Sequence, residues 1–470
     1  MNATHFRSTV ITLALAALLG GCAVGPVYER PVTGVPAAWK EAPAAEGWFP
    51  AAPADLLDRG PWWQLFGDAG LNELAERVQV SNQNIAVAVA NYAQAQALVR
   101  EQRATLFPTL GLSGGASRSG NRDGDRSTAS GSADVSLGAS WTPDVWGRLR
   151  TAVGSAEAQA QASAADLAAA RLSAQGLLAS NYFSLRETDA ELALVAETLA
   201  GYERSLVIAQ NRYQAGIAAQ SDVSQAQTLL ANTRADRVAL QRSRDTLEHA
   251  IAVLVGAAPA DFSLPVLAVW TPVVPSVPLG VPSTLLQRRP DIAAAERSVA
   301  VANAQIGIQR SAYYPSLSLS ASLGRSSTSV SDLFSASNML WSLGLSATQV
   351  IFDAGAIGAR VDAAKAVYDA SVASYRQTVL SAFQSIEDQL TATASLAQQE
   401  VLRREASAAA DRTEQQILNR YRAGQVSYTD VVTAQATALN ARRTVLQLVA
   451  SRQNAAVGLI QGLGGGWTGI

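Results

Sequence analysis

Few side chains in this 470-residue chain are suited to catalysis or to metal binding. The sequence has one cysteine, Cys22, and two histidines, of which His5 lies in the N-terminal segment and His249 stands alone. A zinc site of the usual Cys/His type and an intrachain disulfide are therefore excluded. The two lysines lie outside any glycine-rich context, so the chain has no phosphate-binding P-loop. We expect a protein that is not an enzyme and holds no metal or cofactor, although an all-carboxylate hydrolase remains formally possible.

Two acidic residues occupy equivalent places and are the strongest candidates for a binding role. Asp222 and Asp430 each follow an Ala-Gly turn, so each carboxylate is expected in the first turn of a helix. The positive end of the helix dipole favours an acid there, which is a purely structural explanation. For Asp222 this explanation and a functional one both remain open.

The N-terminus has the pattern of an export signal with a lipid-attachment site. Arg7 gives a short positive start, and residues 10–19 are apolar but too short to span a membrane. The sequence Leu-Gly-Gly then precedes Cys22, which looks like a bacterial lipobox. This predicts that residues 1–21 are a cleaved signal peptide and that Cys22 carries a covalent lipid. An ordinary signal peptide with a chance cysteine is the alternative.

Composition narrows the class of protein further. The formal net charge is −2, so there is no basic field for nucleic acid phosphates. Charged residues make up 16% of the chain, against about 25% in an average soluble protein. Beyond Cys22 no uncharged apolar run of about 18 residues occurs, so no transmembrane helix is expected.

The chain is a tandem duplication. The sequence Arg-Tyr-Gln-Ala-Gly at 212–216 recurs as Arg-Tyr-Arg-Ala-Gly at 420–424, a shift of about 208 residues. Asp222-Val223 recurs as Asp430-Val431 with the same shift. The repetition predicts six segments: signal peptide 1–21, extended lipid-anchored segment 22–70, repeat one 71–258, linker or equatorial segment 259–282, repeat two 283–461, and C-terminal tail 462–470.

Each repeat is predicted to contain a helix, two short strands, a long helix and a second helix. The first helical segment is expected over about 71–106 in repeat one and 283–313 in repeat two. Gly216 and Gly424 suit helix C-caps, and Ser221 and Thr429 suit the N-caps of the helices that follow. The long helices are expected at about 148–213 and 357–421, and the second helices at 222–255 and 430–460.

Four strands are predicted, and three of them show strict apolar–polar alternation, as in residues 316–323, where serines alternate with Leu and Ala. The first strand, around 109–116, is rich in glycine and alternates less regularly. Each is about 9–10 residues, the length of a tilted β-strand that crosses a bilayer. A soluble sandwich with one wet face is the alternative. Polar loops are expected at 117–130 and 325–338. Four strands cannot close a barrel, so a hollow pore needs at least three chains.

These features together resemble the TolC-type outer-membrane factors, specifically the lipid-anchored OprM/NodT branch. The resemblance implies a mainly α-helical homotrimer in the outer membrane of a Gram-negative bacterium. Its twelve-stranded barrel would cross the membrane, and a twelve-helix α-barrel would extend into the periplasm. Four motifs carry the resemblance: VGPVYERP at 24–31, WWQLFGD at 62–68, RRPDI at 288–292, and the strand entries Phe107-Pro108 and Tyr314-Pro315.

The family consists of the exit ducts of tripartite efflux pumps. Such ducts pass small molecules such as drugs from periplasm to exterior, together with a periplasmic adaptor protein and an inner-membrane transporter, often of the RND type. The resemblance implies that the turns near Gly216 and Gly424 contact the adaptor. Two alternatives remain open, a duct for type I protein secretion and a structural coiled-coil lipoprotein without a pore.

The resemblance also implies a role for residues 428–435, which match the family's periplasmic aperture. Three copies of Asp430 around one axis would form a cation-selective constriction, with Asp222 and Thr433 nearby. Thr433 stands where many relatives have a second Asp. Val426 stands where some relatives have an Arg that locks the closed tip, so the locking network of those relatives is not expected here.

Overall fold

A computed structural model describes residues 24–41, 61–123, 126–267, 269–277, 288–335 and 339–465. Cys22, the predicted signal peptide and residues 283–287 of the predicted second repeat lie outside the described residues. The described chain is mainly helical, with one four-stranded sheet. It divides into two compact units, the first comprising 1–32, 91–164 and 294–376, the second 33–90, 165–293 and 377–470.

The helices of the described residues follow one order twice, with two strands after the first helices of each half. Three short 3₁₀ helices, Trp62–Phe66, Pro259–Asp261 and Ser311–Tyr313, accompany them. The α-helices are α1 (Ala69–Ser81), α2 (Gln83–Ala104), α3 (Arg148–Gln214), α4 (Gln220–Leu254), α5 (Pro290–Arg310), α6 (Ala356–Arg422) and α7 (Tyr428–Gly462).

The long helices reproduce the duplication residue by residue. Helices α3 and α6 each contain 67 residues, and α6 begins and ends 208 positions after α3. Helices α4 and α7 each contain 35 residues and are separated by the same 208 positions. Their many alanines have the highest helix propensity and let neighbouring helices approach closely.

The prediction of one helical segment over 71–106 was wrong at Asn82. The Oδ1 atom of Asn82 accepts hydrogen bonds from the amides of Asn84 and Ile85, at 3.0 and 3.1 Å. Its Nδ2 atom donates to the carbonyl of Leu254 at 2.8 Å. The asparagine therefore ends α1 and caps α2, as its short polar side chain favours.

The four strands form one antiparallel sheet in the order β1-β2-β3-β4. They are β1 (Thr109–Asp123), β2 (Arg126–Trp141), β3 (Ser316–Ser327) and β4 (Met339–Thr348). The predicted loop over 117–130 was wrong, because β1 and β2 stay paired as far as Asp123 and Arg126. Hydroxyl pairs such as Ser117–Ser132, at 2.8 Å, continue the ladder through this stretch. The predicted loop over 325–338 is shortened in the same way, since β3 reaches Ser327.

The two faces of the sheet differ sharply in chemistry. On one face, Leu319 lies opposite Leu345, and Ala321 lies opposite Leu343. On the other face, the hydroxyl of Ser318 bonds that of Ser346 at 2.7 Å, in the manner of several further serine pairs. Leu343 and Leu345 are 74% and 70% exposed, so the apolar face is open in the single chain. Among the described helices, none combines the length and the apolar character needed to cross a bilayer.

An aromatic group packs the second unit. Trp62, Trp63 and Phe66 are buried, and the ring of Phe66 lies 4.8 Å from that of Phe183. The carboxylate of Asp68 accepts hydrogen bonds from the Leu71 amide and from the Tyr182 hydroxyl. The tryptophan motif therefore packs the protein interior, and its neighbouring aspartate starts α1.

In the first unit, the N-terminal segment lies along α5. The Asn303 amide donates to the Pro26 carbonyl at 3.1 Å, and the Tyr28 hydroxyl bonds Glu296. A Cβ atom at Gly25 would lie 3.0 Å from the backbone of Gly307, so these two segments of the chain meet closely there. Burial and the Glu296 carboxylate raise the pKa of the Tyr28 phenol well above its usual range.

Candidate functional site at the two helix turns

The two helix turns close with the same backbone geometry. Gly216 and Gly424 both have left-handed φ, at 73° and 75°. In the first turn the Ile217 amide donates to the Arg212 carbonyl, and in the second the Gln425 amide donates to the Arg420 carbonyl, each at 2.9 Å. These are Schellman C-caps, so the predicted capping by glycine is confirmed. Contact of these turns with an adaptor stays a prediction.

The predicted N-caps were wrong by two residues at each turn. Helix α4 begins at Gln220 with Ala219 as its N-cap, and α7 begins at Tyr428 with Ser427 as its N-cap. Ser221 and Thr429 therefore lie inside the first helical turns. The connecting turns are therefore shorter than predicted, because helical hydrogen bonding starts two residues before the predicted position.

Asp430 takes part in a capping box. Its Oδ2 atom accepts hydrogen bonds from the Ser427 amide at 3.0 Å and from the Ser427 hydroxyl at 2.8 Å. The Ser427 hydroxyl in turn accepts from the Asp430 amide. Asp222 lies in the first turn of α4, where the Ala219 cap offers no hydroxyl. The structural explanation therefore holds for Asp430, which nevertheless remains exposed.

Thr433 and Val426 have ordinary structural partners. The Thr433 hydroxyl donates to the Thr429 carbonyl at 2.9 Å and is exposed. Val426 packs against the hydrophobic cluster described next. Neither side chain supplies charge at the turn.

A buried hydrophobic cluster joins the two turns within one chain. The rings of Tyr421 and Tyr428 lie 5.2 Å apart in an edge-to-face arrangement. Both tyrosines are almost fully buried. The cluster consists of Ala209, Val223, Ala226, Tyr421, Tyr428 and Val431.

Arg212 binds the end of the repeat-related helix. Its guanidinium lies 4.8 Å from the centre of the Tyr421 ring. Its Nη1 atom donates to the carbonyls of Tyr421 and Arg422, at 3.0 and 3.3 Å. A cation is favourable at these carbonyls because they form the negative end of α6. Arg212 thus ties repeat one to repeat two.

Burial and nearby groups change the pKa of both tyrosines. Burial raises the pKa of Tyr428 to about 12, with smaller contributions from Tyr421 and from Asp222. Burial and the Asp222 carboxylate raise the pKa of Tyr421, while Arg212 lowers it. Both phenols therefore stay protonated at neutral pH.

The surface beside the turns offers no catalytic set. An open groove of about 430 Å³ lies between α4 and α7, and its lining combines uncharged polar side chains with Leu229 and Val432. Within the described ranges, no group of three potential metal ligands comes together. The lining residues are Ser221, Ser224, Gln225, Thr228, Leu229, Asn232 and Val432.

Comparison with known proteins identifies the family. The sequence matches the model of the outer membrane efflux protein family over residues 74–257 and again over residues 281–465. The chain belongs to this family. The resemblance to TolC-type outer-membrane factors is thereby confirmed, and the protein is an outer-membrane efflux channel.

Relatives and solved structures match this efflux protein over nearly its whole length. The probable efflux pump outer membrane protein TtgC of Pseudomonas putida is 32% identical over 98% of this chain and 96% of its own. The cation efflux system protein CusC of Escherichia coli is 31% identical over 97% of this chain and 98% of its own. The solved outer-membrane channel OprN has a TM-score of 0.87 at 29% identity, covering 95% of this chain and all of its own.

The structure brings some predicted residues of this efflux protein together and adds others. Asp222 contributes to the field at the two buried tyrosines, whereas Asp430 is engaged with Ser427. Sequence reasoning missed the role of Arg212, although a signal was available. A cation in the last turn of a helix often binds terminal carbonyls, but only the fold reveals that these carbonyls belong to α6.

Proposed function

We propose that three copies of this chain form the exit duct of a tripartite efflux pump. One observation carries the proposal: the sheet has an open apolar face, and β1 and β4 each pair on only one side within the described chain. Lipid would cover the apolar face. Open strand edges are not tolerated in lipid, so neighbouring copies would close a twelve-stranded barrel. The family resemblance supports a twelve-helix barrel as its periplasmic continuation.

The serine-rich face of the sheet would then line the lumen. Its hydroxyls bond one another across the strands, as between Ser318 and Ser346, and leave a polar surface that also carries the carboxylate of Asp134. Such a lining passes varied solutes without binding any of them tightly. We therefore propose that the duct performs no chemistry and conveys small molecules such as drugs. The inner-membrane transporter, of the RND type, would select the cargo, and a periplasmic adaptor would engage the turns at Gly216 and Gly424.

A covalent lipid on Cys22 is part of the proposal. The amide of Val24, two residues further on, lies 3.4 Å from the carbonyl of Trp146. The Trp146 ring stacks on Tyr314 at 5.0 Å and donates to the Pro315 carbonyl, where β3 begins. Aromatic side chains at strand ends are typical of a membrane interface. A lipid on Cys22 would therefore start beside the membrane surface.

Metabolic labelling tests directly whether Cys22 carries a lipid. Labelling with radioactive palmitate should tag the wild-type chain and the matched Ala23→Ser variant, while Cys22→Ser should lose the label. A Cys22→Ser protein that stays labelled would disprove the lipid site.

The duct itself is tested with the purified full chain. Light scattering in detergent should give the mass of three chains, and planar bilayers should show discrete conductance steps. A deletion strain should also regain resistance to the exported compounds when the gene is restored. A monomer without conductance would overturn the proposed function.

A further inference from the structure

Repeat-related residues at the two turns have the same chemistry but opposite environments. Tyr421 is 3% exposed, whereas Tyr213, 208 positions earlier, is 46% exposed. Ser205 and Gln435 are buried, whereas their repeat counterparts Thr413 and Gln227 are exposed. Within a single chain, Tyr213, Thr413 and Gln227 therefore lack the packing that buries their repeat counterparts.

The buried set forms one seam between the repeats. Arg212 at the end of α3 contacts the Tyr421 ring and the carbonyls at the end of α6. Further from the turn, the side-chain amide of Gln435 in α7 donates a hydrogen bond to the Ser205 hydroxyl of α3 at 3.3 Å. Both contacts join repeat one to repeat two, and both lie on the same side of α3.

The exposed set contains the same donors and acceptors in the same register. Arg420 corresponds to Arg212 and Tyr213 to Tyr421, while Gln227 corresponds to Gln435 and Thr413 to Ser205. Within the part of the chain that is described, Arg420 is exposed and has no ion pair or hydrogen bond through its side chain. The two sets therefore offer similar groups for the same kind of contact.

We infer that the seam within one chain is repeated between two chains. Arg420 binds the ring of Tyr213 of the partner subunit and the carbonyls at the end of that subunit's α3. Thr413 accepts a hydrogen bond from Gln227 of the partner subunit. Both contacts join repeat two of one copy to repeat one of the next, so a single docking satisfies both. The inference rests on the proposed trimer and names the side chains that join neighbouring copies near the two helix turns.

The physical basis is the geometry of a duplicated chain in a ring. When repeats one and two alternate around an axis, each repeat meets an unlike repeat on both sides. One of the two meetings lies inside a chain, and the other lies between chains. Equivalent surfaces then make equivalent contacts, here a cation at the negative end of a helix and over an aromatic ring.

Chemical cross-linking tests the register. Cys22 is the only cysteine of the chain, so introduced thiols react alone once Cys22 is acylated or replaced. The assembled full-length protein carrying Arg420→Cys and Tyr213→Cys should be joined by a short bismaleimide into covalent dimers and trimers. The pair Gln227→Cys and Thr413→Cys should give the same bands. All four positions have their side chains at the surface, so the variants should fold.

Matched controls separate this seam from general proximity. Arg212→Cys with Tyr421→Cys should cross-link inside one chain and leave its mass unchanged. Arg420→Cys with Val207→Cys, which is exposed but out of register, should give few dimers.

The outcomes distinguish the seam from the duct. A protein of trimer mass in which neither predicted pair cross-links between chains would overturn the seam and leave the proposed function intact. A protein that remains monomeric would overturn both.

Discussion

Helices α3 and α6 are built on the same plan but lie in different surroundings. Both have 67 residues and end in Arg-Tyr followed by an Ala-Gly turn. In α3, Val195 is buried and Leu194 is partly buried. At the matching positions of α6, Arg403 is exposed and Leu402 is 64% exposed. Helix α7 bonds both helices, through Gln435 to Ser205 of α3 and through Arg442 to Asp411 of α6, yet the face of α6 that carries Leu402 is exposed.

The difference shows which surface the single chain leaves unfinished. Leu194 of α3 packs against a cluster that includes Leu199, Leu230 and Leu439. Leu402 occupies the equivalent position of α6, 208 residues later, and faces outward. An exposed apolar side chain at a position whose counterpart packs against a hydrophobic cluster indicates an interface with another chain. The open face of the sheet indicates a second kind of environment, lipid.

The largest effect is expected on the sheet, where the two faces can be compared directly. Leu345→Arg places a charge on the apolar face and should cost about 2–4 kcal/mol near the bilayer midplane. Ser318→Arg on the opposite face should be tolerated better, because it would face water in the lumen. The measurement is the amount of folded protein in outer-membrane fractions. Equal loss with both substitutions would contradict a lipid-facing apolar side.

Leu194→Ala and Leu402→Ala remove the same side chain at equivalent positions of α3 and α6. Removing Leu194 from its cluster should destabilise the protein by about 2 kcal/mol. If another chain covers α6, Leu402→Ala should have a similar cost in the assembled protein. Urea unfolding of the detergent-solubilised assembly measures both. A midpoint for Leu402→Ala equal to that of wild type would mean that the outer face of α6 stays uncovered.

A pH response should arise at Glu187 of α3 and be missing at its repeat counterpart in α6. Burial and the charge of Glu191 raise the pKa of Glu187 to about 8. Because the folded pKa is raised, the stabilising contribution is complete below the ordinary glutamate pKa and is lost as pH rises through about 8. The equivalent position of α6 is Ser395, which does not titrate.

Glu187→Gln should therefore flatten the decline of melting temperature between about pH 5 and pH 9. The exposed Glu197→Gln on the same helix serves as the control and should keep the wild-type slope. An unchanged slope in Glu187→Gln would exclude this carboxyl as the source.

The smallest effects are expected at the acidic residues of the turns. Asp430→Ala removes the capping box and should cost about 1 kcal/mol. Asp430→Asn keeps an acceptor for Ser427 but removes the charge, so it should retain most of this stability. Both variants should reduce cation selectivity in single-channel recordings, and Asp222→Ala should reduce it less. Wild-type selectivity in Asp430→Asn would leave capping as the only role of this residue.

Features that depend on local chemistry can be predicted from the amino-acid sequence. The duplication is visible in the Arg-Tyr and Ala-Gly motifs, and the position of each turn follows from glycines that adopt a left-handed φ. The faces of the strands follow from alternation of Leu and Ser, because successive side chains point to opposite sides. These features need only neighbours within a few residues.

Features that depend on distant partners could not be predicted in this way. The helix break at Asn82 involves the carbonyl of Leu254, and the full length of β1 depends on its pairing with β2. The unequal burial of α3 and α6 depends on which helices pack on them. Arg212 and Arg420 have the same local sequence, yet only Arg212 reaches a helix end within its own chain. The Arg-Tyr motif does not show this difference, because the partner of Arg212 lies about 200 residues away in the other repeat.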